Sequence, residues 1–292
     1  MEVKYQIWDV FTNKIFTGNP LAIIPDASQL SDKQMQNIAK EFNLSETSFI
    51  LNKEKADFRA RYFTPAREVP MAGHPTIGTI YSLWDSGQID VDEIGLELNA
   101  GIFPIKLDYQ NDKLQRVWMN QGIPKIITTC HDKQAIAKAL GLSETDIVAD
   151  LPIQVVSAGL EFLLVPLKSL AALAKANLKI DLLPDVLAKD HRAVFAFTLD
   201  APESELRGRM FAEAFGVIED PATGSAHGPL GFYMATNNLL KFQNGVASFT
   251  SHQGVEMGRA SQIELKVSKQ KAGFEVKIAG QAIKIAEGKL FL

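Results

Sequence analysis

Asp220-Pro221-Ala222-Thr223-Gly224-Ser225-Ala226-His227-Gly228 leads into Leu230, Phe232, Tyr233 and Met234, and no charged side chain follows until Lys241. A second stretch of the same kind, His74-Pro75-Thr76-Ile77-Gly78-Thr79-Ile80-Tyr81-Ser82-Leu83-Trp84, meets no charge before Asp85 and stops at Gly87. Each predicts a helix with proline at the favoured first position, and the first-half helix has glycine at its stop. A helix that is apolar or small on every side has no face for water and must be surrounded by protein. Glycine inside a helix costs up to about 1 kcal/mol relative to alanine, so Gly78, Gly224, Gly228 and Gly231 predict strands packed close to the helix axes.

Strand-like segments flank both stretches. In the first half they are Val3 to Val10, Ala22 to Ile24, Thr47 to Leu51, Phe58 to Phe63, Gly95 to Leu98, Phe103 to Leu107 and Val117 to Met119. In the second half they are Gln154 to Ser157, Phe162 to Val165, Ala193 to Thr198, Ala247 to Thr250, Gln262 to Val267, Phe274 to Ile278 and Gln281 to Ile285. Helices are predicted at Ser31 to Phe42, with Ser31 as cap and Met35, Ile38, Ala39 and Phe42 on one face, and near Asp132 to Leu140 and Leu182 to Ala188. The expected architecture is α+β, with two similar halves, each a barrel-like, mostly antiparallel sheet wrapped around one central helix. The first domain is placed at residues 1–118 and the second at 119–292, with the junction near Met119 to Pro124 and the tail from about 280 to 292 a candidate to return to the first.

Composition agrees with a soluble enzyme-sized chain. Its 292 residues suit two domains at roughly 100 to 200 residues each. Hydrophobic residues at 46% and charged residues at 22% exclude disordered and disulfide-scaffold classes. A net charge of −4 offers no excess positive field to phosphate backbones, so nucleic acid is not an expected partner. The run from Val155 to Ala174 is broken by Glu161, Pro166 and Lys168 and is too short to span a bilayer, and the N-terminus lacks a signal peptide's basic start and apolar run, so the expected location is cytoplasmic and no membrane partner is expected. The Asn43-Leu44-Ser45 sequon is then a coincidence. The single cysteine, Cys130, rules out an internal disulfide and any mechanism needing two thiols in one chain.

The buried helix starts carry the chemistry. Free N–H groups and about half a positive charge make an anion site without Lys or Arg. With Asp220 as N-cap and Pro221 as first residue, Thr223, Gly224 and Ser225 would offer donors to a substrate carboxylate; the plainer reading is a well-capped structural helix. His74, beside the other helix start, is expected as a neutral imidazole able to relay a proton, or simply as a satisfied core histidine. Glu46, where a helix gives way to a strand, would gain acid–base character if buried, although a solvated glutamate is the commoner outcome at such a joint. Asp220 and His227 lie seven apart, two helical turns that would align them for a metal, but no third ligand stands at useful spacing, so no metal site is expected. GxGxxG, Walker A, HExxH and GxSxG are all absent.

Three blocks resemble the PhzF-like phenazine-biosynthesis isomerases, relatives of diaminopimelate epimerase. They are Asp9-Val10-Phe11-Thr12 with Phe16-Thr17-Gly18-Asn19-Pro20-Leu21-Ala22, Phe63-Thr64-Pro65 through Glu68-Val69-Pro70-Met71-Ala72-Gly73-His74-Pro75-Thr76, and Glu219-Asp220-Pro221-Ala222-Thr223-Gly224-Ser225-Ala226. A weaker fourth is Gln253-Gly254-Val255-Glu256-Met257-Gly258-Arg259, followed by Ala260 where relatives commonly have proline. The resemblance implies two barrel-and-helix domains with the active site in the cleft between them, and a homodimer. It implies Glu46 as acid/base, His74 and Asp220 as its polar partners, and Gly73 with Thr223, Gly224 and Ser225 as a carboxylate cradle. Epimerases of that fold use two thiols at the helix starts; Ala72 and Pro221 stand at about those places here. The expected activity is a cofactor-independent isomerisation that moves a proton on a small cyclic or amino-acid-like carboxylate. The alternatives are a catalytically silent carboxylate-binding or regulatory protein of the same fold, and a plain interaction protein.

Overall fold

The uncharged stretches are enclosed, each by its own set of strands. The computed structural model describes residues 1–187, 193–202, 205–213 and 216–292, and divides into two units, Met1–Asn120 with Ala279–Leu292, and Gln121–Ile278. The first unit contains β1 (Glu2–Val10), β2 (Asn19–Ile24), α1 (Asp32–Phe42), β3 (Thr47–Leu51), β4 (Phe58–Phe63), β5 (Glu68–Val69), α2 (Gly73–Asp85), β6 (Glu93–Leu98), β7 (Gly101–Gln110), β8 (Lys113–Asn120) and the C-terminal strand β18 (Ala282–Phe291). Hydrogen bonds order it β18, β1, β2, β3, β4, β6, β7, β8, with β5 beside the end of β4; only β2 with β3 and β4 with β6 run parallel. Helix α2 touches β1, β2 and β3, and also β18 and β8 at the two ends of that order, so the sheet curls around it.

The second unit contains β9 (Lys125–Cys130), α3 (Lys133–Ala139), β10 (Ile153–Ser157), β11 (Glu161–Pro166), α4 (Leu170–Lys175), β12 (Val194–Thr198), β13 (Leu206–Ala212), β14 (Val217–Asp220), α5 (Gly224–Thr236), β15 (Val246–Gln253), β16 (Ser261–Gln270) and most of β17 (Gly273–Gly280). Its order is β9, β10, β11, β12, β13, β15, β16, with β14 beside β13 and parallel pairs at β11 with β12 and β13 with β15. The pairings repeat those of the first unit strand for strand. In each, an antiparallel pair, a parallel crossover spanned by a helix, a further antiparallel pair and a short strand lead into the central helix. Among the described residues no helix is long and apolar enough to cross a membrane.

Local sequence explains most helix boundaries. Ser31 and Gln34 form a reciprocal capping box on α1, Asn43 closes it in the left-handed conformation at φ 50°, and Met35, Ile38 and Ala39 are buried beneath it. Asp132 caps α3 through the Ala135 N–H at 2.9 Å. Residues Gly73 to Leu83 of α2 are all buried. Three of its hydroxyls are matched by the strands around it: Thr79 pairs with Ser48 at 2.6 Å, Thr76 with Tyr62 at 3.1 Å, and Ser82 donates to Gln6 at 2.8 Å.

Four expectations fail for identifiable reasons. Neither central helix begins with its proline: α2 starts at Gly73, with Pro75 third, and α5 starts at Gly224, beyond Pro221. The helix expected over Leu182 to Ala188 is absent up to Leu187, where a single 3-10 turn, Ile180–Leu182, stops ahead of Pro184; Ala188 lies outside the described residues. The helix crossing between β11 and β12 is α4 instead, capped by Ser169 through the Ala172 N–H at 3.2 Å. Strand β13 is not among the expected strands because Arg207 and Arg209 interrupt its apolar pattern. Buried Arg209 holds Glu219 through two bonds of 2.8 Å and donates from Nη1 to the carbonyls of Leu173, Ala174 and Ala176 at the end of α4.

The enclosure is tight where glycine was expected to allow it. A Cβ on Gly78 would stand 2.5 Å from Leu21 Cδ2, and one on Gly231 would stand 2.8 Å from Val276 Cγ1. Helix propensity alone favours alanine at such positions by about 1 kcal/mol. Valine is stiff at χ1, so overpacking wins at Gly231. Gly231→Ala is expected to lose about 1–3 kcal/mol in urea unfolding; a gain would show that the strands leave more room than the structure indicates.

Candidate functional site

In the first unit the αL cap at Asn43 ends α1 three residues before Glu46, and Glu46 immediately precedes β3. Its side chain is 20% exposed, and Oε2 lies 3.5 Å from Nδ1 of His74, whose side chain is 4% exposed. His74 is the second residue of α2, and Asn19, at the start of β2, places its Nδ2 3.3 Å from the same Nδ1. Burial pushes the His74 imidazole down to about 3, which makes it neutral at ordinary pH. Its Nε2 has no hydrogen-bond partner among the described residues. Gly73 opens α2 after Ala72, and neither a side-chain cap nor an acidic residue occupies that first turn. The structure therefore gathers Glu46, His74 and Gly73 around one uncapped helix start. Asn19 joins them, a residue the sequence offered only within a longer block.

In the second unit Asp220 is the last residue of β14 and is 7% exposed. It does not cap α5. The N-cap position belongs to Thr223, whose hydroxyl turns back and donates to Asp220 Oδ2 at 2.5 Å. Gln253, fully buried at the end of β15, locks this turn: its Oε1 accepts from the Thr223 N–H at 3.1 Å, and its Nε2 donates to the Asp220 carbonyl at 2.6 Å and to the Thr223 hydroxyl at 3.1 Å. Of the three expected backbone donors, Thr223 is thus occupied by Gln253. Ser261 ties the turn from the other side by donating to the carbonyls of Pro221 at 2.9 Å and Gln253 at 3.1 Å. Gly254 has φ +72°, and a Cβ there would meet the carbonyl oxygens of Pro221 and Arg259 at 2.5 Å each, so only glycine fits beside this turn.

His227 completes the network. Its Nδ1 meets the Thr223 carbonyl at 2.7 Å and its Nε2 the Ser251 hydroxyl at 2.9 Å, so both ring nitrogens are engaged, while Asp220 faces Thr223. Burial pushes its imidazole down to about 4. Among the described residues no three His, Cys, Asp or Glu side chains are grouped to hold a metal ion. Cys130 is buried in β9, its thiol pushed up chiefly by burial, and it belongs to neither helix start.

The chain is similar to known proteins over nearly its whole length. The model of the family described as phenazine biosynthesis-like protein matches residues 8–288. An uncharacterized isomerase of Clostridium acetobutylicum is 35% identical, with 99% of this chain and 97% of the relative covered. The trans-2,3-dihydro-3-hydroxyanthranilate isomerase of Pseudomonas aeruginosa is 34% identical over 99% of each chain. A crystal structure of a Bacillus anthracis phenazine biosynthesis protein of the PhzF family superposes over 100% of both chains with a TM-score of 0.93 and 31% identity.

Two measurements follow from the buried polar groups. Gln253→Met keeps the shape but strands the Thr223 N–H and the Asp220 carbonyl, at a cost of about 1–3 kcal/mol each, so a loss of at least about 2 kcal/mol is expected in chemical denaturation. His74 and His227 titrate near 6.5 when unfolded and at about 3 and about 4 when folded, so the unfolded chain binds more protons as pH falls below 6.5. Stability is full above that pH and is lost on the way down, by up to about 1.4 kcal/mol per pH unit for each histidine. Unfolding free energies between pH 6.5 and 5 are expected to show this slope, and His227→Gln to reduce it; a flat profile would place solvent at the rings.

Proposed function

Since the chain belongs to the phenazine biosynthesis-like (PhzC-PhzF) family and is an isomerase, we propose that it moves a proton on a small cyclic or amino-acid-like carboxylate, with Glu46 as the general acid/base. The observation that carries this reading is the 3.5 Å approach of Glu46 to a histidine kept neutral by burial. A protonated imidazole there would fix Glu46 as the anionic half of an ion pair. A neutral one orients the carboxyl group without supplying the opposing charge, and leaves Glu46 able to take a proton and give it back.

The steps balance without an added redox partner. The Glu46 carboxylate removes a proton from an activated C–H, and the bonding pair moves into the conjugated system toward the substrate carboxylate. Backbone donors at the uncapped helix start beside Glu46, Gly73 among them, bind that carboxylate and stabilise the enolate-like charge. The carboxylic acid of Glu46 then delivers the proton to a different carbon. His74 and Asp220, the latter oriented by Thr223, are the proposed polar partners, and no step calls for a cofactor.

The relative named for trans-2,3-dihydro-3-hydroxyanthranilate supplies the first compound to assay. Glu46→Gln is expected to keep the wild-type Tm and lose at least about a hundredfold in kcat; near-normal turnover would remove Glu46 from the mechanism. In D2O the product is expected to carry partial or full deuterium at its new C–H position, to the degree that solvent reaches Glu46 before the proton is returned. A panel of cyclic amino-hydroxy carboxylates that bind measurably, yet give neither product nor exchange, would favour a binding protein.

A further inference from the structure

Two side chains meet the Nδ1 edge of the His74 ring, and the nearer one decides where the ring's proton lies. Leu21 and Ile23 of β2 face α2, since a Cβ on Gly78 would stand 2.5 Å from Leu21 Cδ2 and 3.7 Å from Ile23 Cδ1. Asn19 lies two residues before Leu21, on that same face of the strand, and His74 lies four residues before Gly78, one turn back along the helix. Strand and helix therefore bring the two side chains together in the interior, where Asn19 is 0% and His74 is 3% exposed. Gly18, at φ +69°, turns the chain into β2, and Asn19 pairs with Val10 of β1, so the asparagine's backbone is fixed. Its Nδ2 stands 3.3 Å from His74 Nδ1, nearer than Glu46 Oε2 at 3.5 Å. An amide nitrogen can only donate, and a neutral imidazole that accepts at one nitrogen holds its proton on the other. That other nitrogen, Nε2, has no partner among the described residues.

We propose that Asn19 is a positioning residue: by donating to Nδ1 it holds His74 as the Nε2–H tautomer, with the ring's lone pair turned to the side where Glu46 stands. The inference rests on Glu46 as the acid/base and adds what the ring does in each half of the reaction. While Glu46 is a carboxylate, the Nδ1 lone pair gives it no hydrogen bond and leaves it to act as a base. Once Glu46 has taken the substrate proton, its O–H can turn to that lone pair, which the acid and the Asn19 amide then share, so the acid is held between abstraction and return. The opposite tautomer, Nδ1–H, would donate to the Glu46 carboxylate and oppose its taking a proton. No proton passes to or from His74: one C–H bond breaks, one O–H bond forms on Glu46, and the reverse occurs at the second carbon. His227 is the opposite case, because its Nδ1 meets the Thr223 carbonyl, which only accepts, and so carries the proton itself.

The test reads the ring nitrogens directly, in the full chain labelled with nitrogen-15 histidine, by long-range proton–nitrogen NMR at neutral pH. His74 is expected to show an unprotonated Nδ1 and a protonated Nε2, and His227, as the internal reference, the reverse. A His74 protonated at Nδ1, or one whose two nitrogens are averaged by exchange, overturns the proposal. Asn19→Asp keeps the size and replaces the donor with an acceptor. It is expected to put a proton on Nδ1 and, with trans-2,3-dihydro-3-hydroxyanthranilate as the probe, to lower kcat at least about tenfold, the scale of one hydrogen bond, with KM little changed. A variant that keeps the wild-type kcat although its proton has moved overturns the positioning role, and so does one that loses kcat with the proton still on Nε2 alone. Should Asn19→Asp fail to fold, Asn19→Leu, which neither donates nor accepts, is expected to average the two nitrogens and lower kcat likewise; a spectrum like the wild type's overturns the proposal. Wild-type protein with Nε2–H in place and no turnover of any cyclic carboxylate sinks the Glu46 mechanism alone, whereas turnover with His74 protonated at Nδ1 sinks this inference alone.

Discussion

Everything in each unit depends on burying a helix that has no charged face. The hydrophobic gain from wrapping a sheet around α2 or α5 is available only if the strands come close, and closeness requires small residues along the helix, as Gly78 and Gly231 show. Once enclosed, the helix cannot solvate its own first N–H groups. Its start becomes the place where the interior meets a need for hydrogen-bond acceptors, and an anionic ligand meets that need without any cationic side chain. The packing requirement and the binding chemistry therefore have one origin.

The two starts answer the requirement differently. At α2 the first turn has no side-chain cap, and a neutral histidine stands in it with a glutamate and an asparagine facing one ring nitrogen. At α5 the turn that precedes the helix is braced: Gln253 and Ser261 hold its backbone, Thr223 engages Asp220, and His227 engages Thr223 and Ser251. Such a network fixes the orientation of Asp220 because each member is satisfied only in one arrangement. The first start is thus left without a side-chain cap, and the second is held by a closed set of hydrogen bonds.

Burial also explains why the ionisable groups at these starts behave unlike solvent-exposed ones. Neither His74 nor His227 gains a positive charge at ordinary pH, since the charged form would have to exist in a dry interior. For His227 that neutrality is structural, because one ring nitrogen must donate to a carbonyl while the other accepts from Ser251. For His74 it follows from burial, the one cause that lowers its imidazole.

Much of the fold was legible in the sequence. Two charge-free stretches with interior glycines announced enclosed helices, alternating apolar segments announced the strands, and Ser31 announced a capped helix, because each of these signals is local. What stayed hidden was non-local. The capping potential of Asp220 was read from its neighbours, yet Gln253, some thirty residues on, takes the Thr223 N–H and moves the helix start to Gly224. Strand β13 was masked by Arg209, whose charge is tolerated only because Glu219 and three carbonyls at the end of α4 surround it. The pairing of Glu46 with His74 is likewise a fact of assembly. The sequence determined which segments must be buried, since hydrophobicity and residue size are properties of the chain itself. Only the tertiary structure decided which polar groups find partners inside, because a hydrogen bond depends on where distant segments bring its two ends.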